Sequence, residues 1–85
     1  MGGRQWEMTP AAQRQFAHLE VQLQGRIASK LDDLAAGAPN VDVEKLGGQG
    51  AFRLRVGTYR VVFRVAPEHQ TIIVTKIGDR KDIYR

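Results

Sequence analysis

A chain of 85 residues with a formal net charge of +4 has room for one small domain, residues 1–85, which buries only roughly 60–65% of its unfolded surface. It contains no cysteine, which excludes a disulfide framework and a thiolate zinc site and fits a reducing cytoplasm. Its longest apolar runs, IIV and VVF, exclude a membrane-spanning helix.

The charge is lopsided. Residues 1–50 carry five Lys/Arg against six Asp/Glu, whereas residues 51–85 carry eight against three. A polyanionic partner, either nucleic acid or an acidic protein, and a merely solubilising excess are both open on this pattern.

In chain order, MGGRQWEM lacks a hydrophobic signal core, so no secretory leader is expected. Arg4 to Met8 reads as a short strand with Trp6 and Met8 on one face. Thr9-Pro10 then signals a helix start, with Thr9 as N-cap and Pro10 in the first turn, where its missing N–H costs nothing. Ala12, Phe16, Leu19 and Leu23 recur at helical spacing over about four turns. Gln24-Gly25 is expected to interrupt that stripe. Ile27, Leu31 and Leu34 form a second one, stopped by Gly37 with Pro39 beyond it. Residues 38–51 read as loop, with Val41, Val43 and Leu46 as anchors and Gly47, Gly48 and Gly50 as breakers.

Three strands follow: Phe52–Val56, Tyr59–Val65 and Thr71–Ile77. Gly57-Thr58 joins the first two as a two-residue type II′ turn, and Ala66 to Gln70 joins the second to the third. The order β-α-α-β-β-β predicts an α+β fold: a mostly antiparallel sheet packed on one face by a two-helix hairpin. The first strand must join beside one of the last three, and the residues leave open which.

The turn sets the pairing: Val56 with Tyr59, Arg55 with Arg60, Leu54 with Val61, Arg53 with Val62. Because side chains alternate, Phe52, Leu54, Val56, Tyr59, Val61 and Phe63 share a core face. Arg53, Arg55, Arg60, Val62 and Arg64 share the other, with no acid expected beside them. Like charges paired across strands cost stability, so this face is either an Arg-rich solvated surface or a rigid display of guanidinium forks suited to phosphate. Lys76 is expected on the side of Ile72 and Val74. Gly78-Asp79-Arg80-Lys81 follows, from which Arg80 can swing beside the hairpin arginines. Tyr84 either packs the C-terminal segment onto the sheet or stacks on a base. His18, within the first helix, and His69, in a turn, read as surface histidines.

The stretch KLGGQGAFRLRVGTYRVVFRV, followed by IIVTKIGDRKDIYR, resembles the RelE/ParE superfamily of type II toxin–antitoxin toxins. The elements are K-L-x-G, R-L-R-V-G-x-Y-R-V-V-F and I-G-x-R-x-D-I-Y, in order across residues 45–85. The resemblance implies a compact cytoplasmic toxin without cofactor or metal, silenced by a cognate antitoxin that wraps it. RelE-type members cut mRNA on the ribosome; ParE-type members poison DNA gyrase on the same fold. The chain runs one residue past Tyr84, which implies no further C-terminal helix and an antitoxin that covers the basic face or the helix pair.

Carried over position by position, Arg53 and Arg55 fall where the superfamily has basic residues on its second strand. Arg60 matches the arginine of Y-R, Arg80 that of I-G-x-R, and Tyr84 the C-terminal tyrosine. The implied chemistry is attack of an RNA 2′-hydroxyl on its own phosphate. Arg55 and Arg60 would stabilise the pentavalent phosphate, Arg80 would serve the leaving oxygen, and Tyr84 would stack beside the scissile bond. Arg53, Arg64, Lys76 and Lys81 would bind RNA. Known members have lysines where this chain has Arg53 and Arg55, and arginine stays protonated in proteins. The proton acceptor is therefore unassigned, with Tyr84, a ribosomal group or an RNA group as options. A ribosome-dependent mRNA interferase, a ParE-like gyrase inhibitor without nuclease chemistry, and a degenerate toxin that only binds its antitoxin are the three readings.

Overall fold

A computed structural model describes residues 4–47, 50–66, 68 and 70–83. The elements are β1 (Gln5–Met8), α1 (Pro10–Ala17), α2 (Val21–Ala36), β2 (Val43–Leu46), β3 (Ala51–Val56), β4 (Tyr59–Ala66), β5 (Thr71–Asp79) and α3 (Arg80–Ile83). The strands form one five-stranded sheet in the order β1-β5-β4-β3-β2. Only β1 pairs in parallel, with β5; the other pairs are antiparallel. The α+β architecture is the one expected, and the first strand's partner is β5.

Thr9 caps α1 as its sequence implies: Ala12 N–H donates to Thr9 Oγ1 at 3.2 Å. The break between helices, however, falls at His18-Leu19-Glu20 and not at Gln24-Gly25. His18 and Leu19 N–H donate to Gln15 O and Phe16 O, tightening the last turn. Gln24 Nε2 donates to Phe16 O at 2.9 Å, so the residue expected to break a helix caps the preceding one. Gly25 lies inside α2 in open space, where a glycine costs only about 1 kcal/mol against alanine. Gly37, with φ 77°, ends α2 in the left-handed conformation, as expected.

Two further elements were not expected. β2 occupies part of the stretch read as loop and pairs with β3, setting Glu44 opposite Arg53 and Val43 opposite Leu54. One turn of helix, α3, follows β5 and ends before Tyr84; the expectation of no further helix concerns the chain beyond Tyr84, which lies outside the described residues.

The core lies between the helix pair and one sheet face. Ala12, Ile27, Leu31 and Ala35 from the helices meet Leu54, Val56, Val61, Phe63, Ile72, Val74 and Ile77 from the sheet, all buried. The hairpin register is the one derived from Gly57-Thr58, residue for residue. On β5 the register slips: Val62 pairs with Lys76 but Phe63 with Val74, leaving Thr75 as a bulge. The bulge restores Ile77 to the side of Ile72 and Val74 and turns Lys76 to the opposite face, which corrects the side expected from strict alternation. Thr75 Oγ1 donates to Val62 O at 3.3 Å, and Gln15 Oε1 accepts from Ile77 N–H at 2.7 Å beyond the end of the β1 pairing. No helix among the described residues is long and apolar enough to cross a membrane.

Candidate RNA-binding face

The sheet face away from the core carries Arg53 and Arg55 from β3, Arg60 and Arg64 from β4, and Lys76 from β5. Their environments differ more than the sequence suggests. Arg53 is ion-paired with Glu44 and only 12% exposed at the side chain. Arg55 Nη1 lies 3.4 Å from Asp42 Oδ2 in a half-open pair, and Arg55 N–H donates to Asp42 O. The expectation of arginines without acids beside them is thus corrected: β2 and the residue before it deliver a carboxylate to each. An exposed pair like Arg55–Asp42 contributes about 0–1 kcal/mol, so that guanidinium is readily shared with another anion.

Arg60 departs furthest from the picture of an exposed fork. It is 4% exposed, and its Nη1 donates to Gly57 O at 3.0 Å and Tyr59 O at 2.9 Å. Its Nε is buried without a partner among the described residues. Across the ladder Arg60 faces Gly78, and Ile83 of α3 lies over that glycine: a Cβ there would meet Ile83 Cγ1 at 3.3 Å. The one-turn helix folds back over the outer face and roofs the rung on which Arg60 sits. Arg60 therefore holds the hairpin turn from below rather than projecting from it.

Arg64 and Lys76 are exposed on this face, and Arg80 and Lys81 are exposed at its β5 end. Arg80 N–H donates to Thr58 O at 2.8 Å, which ties the start of α3 to the hairpin turn. Asp79 Oδ1 accepts from Lys81 N–H at 3.1 Å. The structure thus brings Arg55, Arg60 and Arg80 to the turn and sets Lys76 beside Val62, two rungs from the Arg60–Gly78 pair. His18 is exposed at the end of α1, remote in the chain from this face. Tyr84 and His69 lie outside the described residues.

Sequence reasoning passed over the partners that govern these cations. Glu44 and Asp42 belong to VDVEKL, whose alternation is a strand signal. It also passed over Arg26 and Lys30 on α2, a pair at helical spacing that faces the hairpin turn.

The family model described as "ParE toxin of type II toxin-antitoxin system, parDE" matches residues 7–84. "Toxin RelG" of Mycobacterium tuberculosis is 44% identical over 36 residues; that stretch spans 42% of this chain and 41% of that toxin. The fold superposes on the archaeal RelE–RelB complex from Pyrococcus horikoshii with a TM-score of 0.77 at 25% identity, covering 92% of this chain and 96% of the other. The isolated RelE toxin of E. coli gives a TM-score of 0.72 at 19% identity, covering 94% and 89% of the two chains. With the family model spanning almost the whole domain and the RelE fold around it, this chain belongs to the ParE toxin family of type II toxin–antitoxin systems, within the RelE/ParE superfamily.

Proposed function

We propose that this toxin is a ribosome-dependent mRNA interferase, silenced in the cytoplasm by a cognate antitoxin. The observation that carries the reading is the pair Arg64 and Lys76, exposed on one face of the sheet through the β5 bulge, with Arg80 and Lys81 exposed just beyond the end of β5. Such a surface suits a ribose-phosphate strand. The Pyrococcus relative was solved as a RelE–RelB complex, and the family model is that of a toxin of a type II toxin–antitoxin system; together they support an antitoxin partner here.

In this reading the bulge adds Lys76 to the cations beside the arginine rungs, where it binds a phosphate. The 2′-hydroxyl proton passes to a ribosomal or RNA group and the 2′-oxygen–phosphorus bond forms. Arg55 and Arg80 stabilise the pentavalent phosphate. The bond to the 5′-oxygen then breaks beside Arg80, leaving a 2′,3′-cyclic phosphate, and the 5′-oxygen takes a proton from solvent. Arg60 acts as a positioning residue, fixing the turn to which Arg80 is tied. Tyr84 stacks on the adjacent base, while Arg64 and Lys81 hold flanking phosphates and Arg53, paired with Glu44, supports the face from within.

A second reading, a gyrase inhibitor without nuclease chemistry, draws on the ion pairs that occupy Arg53 and Arg55 and on the ParE family model. Induction in cells, with translation rate and ribosome-bound mRNA 5′-ends read together, separates the two. Cuts within A-site codons that disappear in Arg80→Ala and Lys76→Ala are the expected result. Intact mRNA with DNA damage and filamentation would replace the first reading with the second.

A further inference from the structure

The helix layer contributes cations that none of the roles above uses. Arg26 and Lys30 stand four residues apart on α2, one turn of helix. With Gln22, Ser29, Arg55 and Gly57 they line a hollow of about 450 Å³ between α2 and the β3–β4 turn. Arg26 is drawn tightly onto that turn: a Cβ on Gly57 would meet its Nη2 at 3.2 Å. The carbonyl of the same glycine accepts from Arg60, so one peptide at the turn sits between guanidinium groups from both layers of the fold.

The charge of the hollow is largely uncompensated. Neither Arg26 nor Lys30 has an acidic partner among the described residues; Lys30 Nζ reaches only the Asn40 carbonyl, at 3.4 Å. No carboxylate lines this hollow among the described residues; Glu20 lines the adjoining one, which Arg26 also borders. The Arg26 guanidinium and the Lys30 ammonium, with Arg55 at the border in its open pair with Asp42, give a recess of this size the charge to receive a phosphate. The recess is continuous with the outer face, because Arg55 borders it and Arg80 is tied to Thr58 on the same turn. That continuity favours one long anion passing around the turn over a separate acidic peptide.

We propose that Arg26 and Lys30 form a second phosphate-binding site for the RNA strand, so that the bound chain wraps the hairpin turn from the outer sheet face to α2. The proposal rests on the RNA-binding reading given under Proposed function. Its test uses the full chain and a short 2′-O-methyl oligoribonucleotide, which cannot be cut through its own hydroxyl, with affinity measured across a salt series. For single strands each phosphate contact contributes about 0.7 to the slope of log K against log salt. Arg26→Gln/Lys30→Gln is expected to reduce that slope by about 1.4 and to weaken low-salt binding about tenfold or more, with the unfolding midpoint unchanged. An unchanged slope in this variant, alongside a reduced slope in Arg64→Gln/Lys76→Gln, would overturn the second site and leave the RNA reading standing. Absence of binding by the unmodified chain would overturn both. Weakened capture of the antitoxin with RNA binding intact would assign the hollow to an acidic peptide and likewise refute the proposal.

Discussion

Replacing Arg60 separates a buried structural cation from an exposed phosphate clamp. Arg60→Ala removes the donor that serves Gly57 O and Tyr59 O. Hydrogen bonds to charged groups contribute about 1.5–3 kcal/mol each. Against that loss stands relief of a buried charge whose Nε has no partner, about 1–3 kcal/mol. The turn carbonyls also regain water, so the net loss is about 2 kcal/mol. A domain of this length has a total of roughly 4–13 kcal/mol to lose from. Arg60→Met keeps the volume under Ile83 while removing the charge, and is expected within about 1 kcal/mol of the parent because apolar isosteres commonly match buried ions. Urea unfolding at constant m-value reads both changes from the midpoint. If both variants matched the parent within about 0.5 kcal/mol, Arg60 would be solvated and free to clamp phosphate, and the burial argument would fall. If Arg60→Met lost as much as Arg60→Ala, the charge itself would be stabilising and its desolvation would not offset its hydrogen bonds.

Three other variants probe the turn and the ion pairs. Gly57 has φ 60°, so Gly57→Ala is expected to cost about 1–2 kcal/mol in thermal unfolding and to push Arg26 off the turn, whereas Gly57→Asn costs less. A stable alanine variant would contradict the turn geometry. Asp42→Asn/Glu44→Gln removes the partners of Arg55 and Arg53. RNA affinity at low salt is expected to rise and the salt slope to steepen by about 0.7–1.4, and a weaker-binding variant would show that the carboxylates help to shape the site.

The core was legible from residues 52–65 because a two-residue turn fixes register and alternation fixes face; Leu54, Val56, Val61 and Phe63 are buried as their parity requires. Helix caps at Thr9 and Gly37 were legible for similarly local reasons. The site was less so. VDVEKL carries a strand's alternation, but the glycines after it outweighed that signal, and with β2 went the carboxylates beside Arg53 and Arg55. Arg60 is buried on the rung whose Gly78 lies under Ile83, a contact that no local pattern encodes. The side taken by Lys76 depends on a bulge, and period-two counting places every residue beyond a bulge on the wrong face.

That bulge also dictates which change in chain length the strand can absorb. Thr75 is the supernumerary residue between Val74 and Lys76, and excising it leaves Ile72, Val74 and Ile77 in the core and Lys76 outside. Excising Ile73 instead turns Val74 to the solvent. A related toxin shorter by one residue at this point would therefore keep both faces, at the cost of the local bend where Gln15 docks.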